Sequence, residues 1–151
     1  MTIAIHQALE YNFAGSRARV LLSGKDSGGA VSVMEMFAPP GKSTPMHAHA
    51  HEEETLIVLD GVVDVTVDGV TVSARAGENV LLPRVLPHRI ANNGAQAARY
   101  LLVCAPAGFE AFIDSVADAQ STPVTPTPPG PEQIARMRAN AGDFGITLLP
   151  G

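Results

Sequence analysis

Cysteine is almost missing from this 151-residue chain: Cys104 stands alone, so no disulfide can close within it. Charge is also sparse. Charged residues make up 17%, the net charge is −5, and lysines and arginines cluster nowhere. Such a surface gives a phosphate backbone or an anionic membrane nothing to hold, which excludes nucleic-acid and membrane partners. No apolar run reaches bilayer-spanning length. The opening MTIAIHQALEYNF lacks the basic start and long apolar core of a signal peptide, so a reducing cytoplasm is the expected compartment. No internal repeat is present. With 46% hydrophobic residues, the chain is an ordinary globular protein with enough residues for one well-buried core.

Up to about residue 105 the pattern is one of strands and turns. RVLLS and AVSVMEMF are separated by GKDSGG, and APPG breaks the chain after them. In VVDVTVDGVTVSA, Asp68-Gly69 sits between alternating apolar residues, a strong signal for a two-residue hairpin. That turn sets Val67 opposite Val70, Val65 opposite Val72 and Val63 opposite Ala74, all on one face. NVLL, HRIA and RYLLVC follow, each bounded by Gly, Pro or Asn. Roughly eight short strands with this punctuation predict an all-β sandwich or closed barrel over residues 1–105.

Residues 106–151 differ. GFEAFIDSVADA places Phe109, Phe112, Ile113 and Val116 at helical spacing. STPVTPTPPGP reads as an extended linker, PEQIARMRANAG as a second short helix, and FGITLLPG as a last strand. The apolar residues of this arm must be covered by the barrel itself or by a neighbouring subunit. With the exposed edges of a small barrel, this predicts a homodimer.

Three of the five histidines fall within GKSTPMHAHAHEEETLIVLDG, followed at once by three glutamates. On a strand, residues two apart face the same way, so His47 and His49 can present imidazoles to one point. If the chain reverses around residues 51–53, Glu54 faces that point from the next strand. His88, at the head of HRIAN, can supply a further nitrogen. Three imidazoles and one carboxylate suit a divalent first-row transition metal, whether Fe, Mn, Ni, Co, Cu or Zn, with one ion expected per chain. His51 shares the parity of His47 and His49 but fits poorly with Glu54, and is expected in solvent or just outside the ligand set. Glu52 and Glu53 are expected to form a solvated turn. Met34 and Met36 share a strand face and are candidates for substrate contact, against plain core filling. Cys104 is expected to be a buried, inert thiol, and Asn92 to hold a turn.

This arrangement resembles the cupin family. Its first motif, G-x5-H-x-H-x4-E-x6-G, fits Gly41, His47, His49, Glu54 and Gly61. Its second, G-x5-P-x-G-x2-H-x3-N, fits Gly77, Pro83, His88 and Asn92, with Val85 in place of the internal glycine. Valine is strained at the positive φ that glycine permits, so the departure bears on the loop before His88. The resemblance implies a cupin double-stranded β-helix, a small β-barrel of two antiparallel sheets with short C-terminal helices and a metal inside its mouth. It is similar to the single-domain quercetin-dioxygenase-like branch, including that branch's Phe-rich helix and Pro-rich arm.

From this follow three expectations of function. The first is a metal-dependent oxygenase acting on a small enolic or phenolic substrate. His47, His49 and His88 would hold the metal, and Glu54 would be both ligand and, as the resemblance implies, the base for a substrate hydroxyl. The second keeps the metal for a non-redox isomerase, cyclase or lyase. The third is a small-molecule-binding module without chemistry.

Overall fold

The Asp68-Gly69 turn forms as its residues dictate. In this computed structural model, which describes residues 3–121 and 123–150, both positions take positive φ, 47° and 83°, the backbone that a tight hairpin turn of this kind requires. The turn joins two strands, Val62–Val67 and Val70–Arg75, whose register is Val67↔Val70, Val65↔Val72 and Val63↔Ala74. Val63, Val65 and Ala74 are buried, whereas Val70 and Val72 lie on an outer strand and stay exposed.

Eleven strands are described: β1 (Leu9–Phe13), β2 (Ser16–Leu22), β3 (Ser32–Ala38), β4 (His47–His49), β5 (Glu53–Asp60), β6 (Val62–Val67), β7 (Val70–Arg75), β8 (Asn79–Leu82), β9 (His88–Ala91), β10 (Ala98–Ala105) and β11 (Ile146–Leu148). They build two sheets, ordered β1-β2-β3-β10-β5-β8 and β11-β4-β9-β6-β7, with antiparallel pairing throughout. This is the expected all-β architecture, with more strands than the eight or so expected. One of the additions is β1, where Leu9, Tyr11 and Phe13 alternate with polar residues and the chain doubles back through Ala14-Gly15. GKDSGG, expected as a plain connection, holds a one-turn helix, α1 (Gly24–Ser27), capped by Ser23 and Asp26.

The core lies between the sheets. Met34, Leu56, Val58, Val63, Val65, Leu82, Leu102 and Cys104 are buried there and remove their apolar surface from water. Met34 and Met36 belong to this interior, opposite Leu102 and Tyr100 of β10. Gly61 turns the chain between β5 and β6 at φ 79°, and a Cβ there would meet the Ala97 carbonyl oxygen at 2.9 Å. Only glycine fits that crossing.

Beyond the barrel, α2 (Phe109–Val116) buries Phe109, Phe112, Ile113 and Val116, the stripe its spacing predicts. Tyr11 donates its hydroxyl to Asp114 at 2.7 Å, fixing α2 against β1. The proline-rich stretch then crosses the barrel's end: Asn12 donates to Thr127 and Gln133 donates to the Asn12 carbonyl. The next helix, α3 (Pro131–Asn140), starts on proline as expected and buries no residue fully. Finally β11 pairs with β4, setting Ile146 opposite His49 and Leu148 opposite His47.

Candidate metal centre

Four side chains from two sheets meet in the barrel interior. His47 and His49 project from one face of β4, and His88 of β9 is the direct Cα partner of His47. Glu54 faces them from β5 in the other sheet. Each imidazole offers one nitrogen, and the three lie within 4.8 Å of one another. The carboxylate of Glu54 approaches two of them, with Oε1 3.2 Å from His49 Nε2 and Oε2 3.4 Å from His88 Nε2. All four are withdrawn from solvent, with His47 the most exposed at 9%.

The hydrogen-bond pattern indicates what the cluster is built for. His47 Nδ1 lies 2.8 Å from the Pro45 carbonyl oxygen, which can only accept, so Nδ1 carries the hydrogen and Nε2 is bare. His49 Nδ1 lies 2.9 Å from Glu52 Oε2, and donation to that carboxylate leaves its Nε2 bare as well. Neither His49 Nε2 nor His88 Nε2 makes a directed hydrogen bond, even though both are buried. Orphaned buried nitrogens cost free energy unless something binds them. Three converging imidazole nitrogens beside a carboxylate supply what a divalent transition ion takes, so the residues present fit such an ion.

Electrostatics agree with this at His47 and Glu54, and at His49 the neighbouring carboxylates act the other way. Burial first, then the neighbouring His88, pulls His47 down to about 4, so this ligand is already neutral at pH 7. Burial would also depress His49, but the Glu52 hydrogen bond and the charges of Glu54 and Glu52 outweigh it and leave His49 above its ordinary value. For Glu54 burial acts upward, and the contact with His88 plus the charges of His49, His88 and His47 overcome it, keeping the carboxyl below the usual range. Cys104 lies behind Glu54 and donates its thiol to Oε1 at 3.7 Å. Burial and the Glu54 charge push that thiol far up, so it is inert as expected.

One expectation is corrected. Glu52 does not belong to a solvated turn: it is 3% exposed and orients His49. Its i,i+3 spacing from His49 was the available signal, but its burial depends on the chain near residue 108. A Cβ at Gly108 would lie 2.8 Å from Glu52 Oε1, so glycine is what allows that approach. Glu53 does stay near the surface and pairs with Arg84, and His51 is exposed. Val85 takes φ 65°, the strained position foreseen for it, and its N–H donates to the His49 carbonyl at 2.8 Å. His88 nevertheless reaches the cluster.

Phe109 was expected only as helix core. Its ring stands edge-on to His49 with centroids 5.2 Å apart, and it also meets Phe13. Phe13, Phe109 and Phe112 line a small apolar cleft of about 50 Å³ that reaches His47. The cleft adjoins an open groove of about 1150 Å³ beneath the proline-rich arm, and both are lined by Ala14, Lys42, Pro45, Met137, Ile146 and Leu148. Met34 and Met36 line neither. No helix among the described residues is long and apolar enough to cross a membrane.

Known proteins share this frame. A predicted oxalate decarboxylase from Thermotoga maritima superposes with a TM-score of 0.59 at 24% identity, over 70% of this chain and 99% of that one. In sequence, the chain is 30% identical over 126 residues to "Polyketide synthase CurC" of Streptomyces cyaneus, covering 81% of this chain and 82% of that protein. It is 28% identical over 78 residues to quercetin 2,3-dioxygenase of Bacillus subtilis, 52% of this chain and 23% of that protein. The profile of the "Cupin domain" family matches residues 34–104, a span that holds all three histidines and Glu54. Two facing antiparallel sheets, both histidine motifs in register and these matches together make the chain a member of the cupin family.

Proposed function

We propose that this cupin is a metal-dependent oxygenase of small enolic or phenolic compounds that bind through adjacent oxygen atoms. The observation behind this is the convergence of bare imidazole nitrogens and the Glu54 carboxylate in a buried site bordered at His47 by an apolar cleft. Held by His47, His49, His88 and Glu54, a divalent ion supplies Lewis acidity and, for a redox-active metal, a path for electrons to dioxygen. Glu54 accepts the proton of the substrate hydroxyl, its two oxygens lying between His49 and His88. Phe13, Phe109 and Phe112 keep water from the cleft. The kinship with a quercetin 2,3-dioxygenase supports this choice of chemistry. Turnover of flavonol-like and dicarbonyl compounds by metal-loaded protein should consume dioxygen and stop under anaerobic conditions; turnover unchanged without oxygen refutes the oxygenase.

A second reading is a non-redox cyclisation or isomerisation, for which an ion held by His47, His49, His88 and Glu54 would supply Lewis acidity alone. It is favoured by the kinship with a polyketide synthase, whose 126 matched residues exceed the family span 34–104 and therefore take in chain outside it. The same assay separates the two, because this chemistry turns over with no oxygen uptake.

A further inference from the structure

The groove outside the metal site has a charge that the proposed chemistry does not use. Lys42 and Arg138 line it, and no aspartate or glutamate does. In a chain of net charge −5, two cations facing this groove run against the overall balance. Neither makes an ion pair with a carboxylate among the described residues. Lys42 spends one N–H on the Ser43 carbonyl at 2.9 Å, leaving two of an ammonium's three donors.

The position of Lys42 is built. A Cβ at Gly15 would lie 3.4 Å from its Cδ and 3.8 Å from Pro129 Cδ, so the stem runs between the β1–β2 turn and the proline-rich arm. Only glycine suits that turn, where φ is 87°. Part-burial holds the ammonium below the ordinary lysine value. Lys42 also lines the cleft that reaches His47, whereas Arg138 lines the groove alone. Lys42 thus stands where the groove meets the cleft at His47, and Arg138 stands in the groove. Around them the walls are mostly apolar, with Pro126, Pro128, Ile134 and Leu149 among them beside Thr127 and Thr147.

Resting on the metal-site proposal above, we propose that the substrate carries a carboxylate set apart from its metal-binding oxygens, received by Lys42 with Arg138 beyond it. The body between the two ends is apolar and occupies the groove. A partly desolvated ammonium that pairs with no described carboxylate gains more from one than an ammonium in water does. Two cations in a mostly apolar groove select an amphiphilic acid over its neutral ester.

The test uses catechol acids with acetate, propanoate and butanoate tails and their methyl esters, titrated calorimetrically into metal-loaded and metal-free full-length protein. On the wild type at least one acid should bind about ten-fold more tightly than its ester. Lys42→Met, which keeps the stem, should bring that preference to within about two-fold, Lys42→Arg should keep most of it, and Arg138→Gln should lower it partially. Equal binding of every acid and ester to the wild type overturns the proposal. So does a preference that survives Lys42→Met, or no binding of any acid at millimolar concentration. If the acids fail to compete while Lys42→Met weakens self-association, the groove belongs to a second copy of the chain and the proposal falls. The metal-free arm separates this from the metal site: an acid preference that persists without metal-dependent catechol binding keeps Lys42 and removes the metal-site proposal. Metal-dependent catechol binding without acid preference does the reverse.

Discussion

Removing Glu52 is the sharpest probe of how the metal centre is assembled. Its Oε2 is 2.9 Å from His49 Nδ1, and both side chains are almost fully buried. No other partner for His49 Nδ1 is present among the described residues, so in Glu52→Ala the N–H is left orphaned and the imidazole is free to turn or to change tautomer. Loss of such an outer carboxylate typically weakens metal affinity by about 10–100-fold, or roughly 1.4–2.7 kcal/mol. Glu52→Gln keeps an oxygen for Nδ1 but loses the charge, so its loss should sit near the lower end of that range. Competition against a chromophoric chelator, with manganese or zinc, reads the affinity directly. Melting of the metal-free variants separates damage to the ligand from damage to the fold. A Glu52→Ala protein that binds metal within about two-fold of wild type would refute the idea that Glu52 aims His49.

Two further changes test the frame around the site. Val85 sits at φ 65° and is largely exposed, so Val85→Gly relieves left-handed strain and sacrifices little burial; after the entropic cost of glycine, about 1 kcal/mol of stabilisation should remain, raising Tm by about 2–4 °C in a thermal melt. An unchanged or lower Tm would mean that the loop is not strained there. Asn92 is 2% exposed; its amide donates to the Ala38 and Gln96 carbonyls and accepts from Gly94 N–H. Asn92→Ala should therefore destabilise by about 2–3 kcal/mol in denaturant unfolding, with metal stoichiometry retained. A loss below about 1 kcal/mol would contradict the structural role assigned to it.

What could be read in advance was local. The Asp68-Gly69 hairpin was legible because turn chemistry and strand period are both written within thirteen residues and specify one register. His47 and His49 were legible because period-two geometry puts them on one face, and Glu54 and His88 because the family's spacing carries them. Glu52 was not, since a glutamate among glutamates carries no mark of burial until the chain near Gly108 closes over it. Nor was Lys42, which only becomes a groove residue once an arm some 85 residues later crosses the barrel's end. Contacts of such separation are set by tertiary packing, and no local pattern records them.

The pairing of β11 with β4 has a mechanical side. Residues 146–148 hold the three-residue strand that aims His47 and His49, with Ile146 and Leu148 directly opposite the two histidines. The same three residues form part of the groove wall. A molecule seated in the groove therefore leans on the beam to which two of the ion's supports are fastened. Load at the mouth is carried to the metal through a ladder only three rungs long.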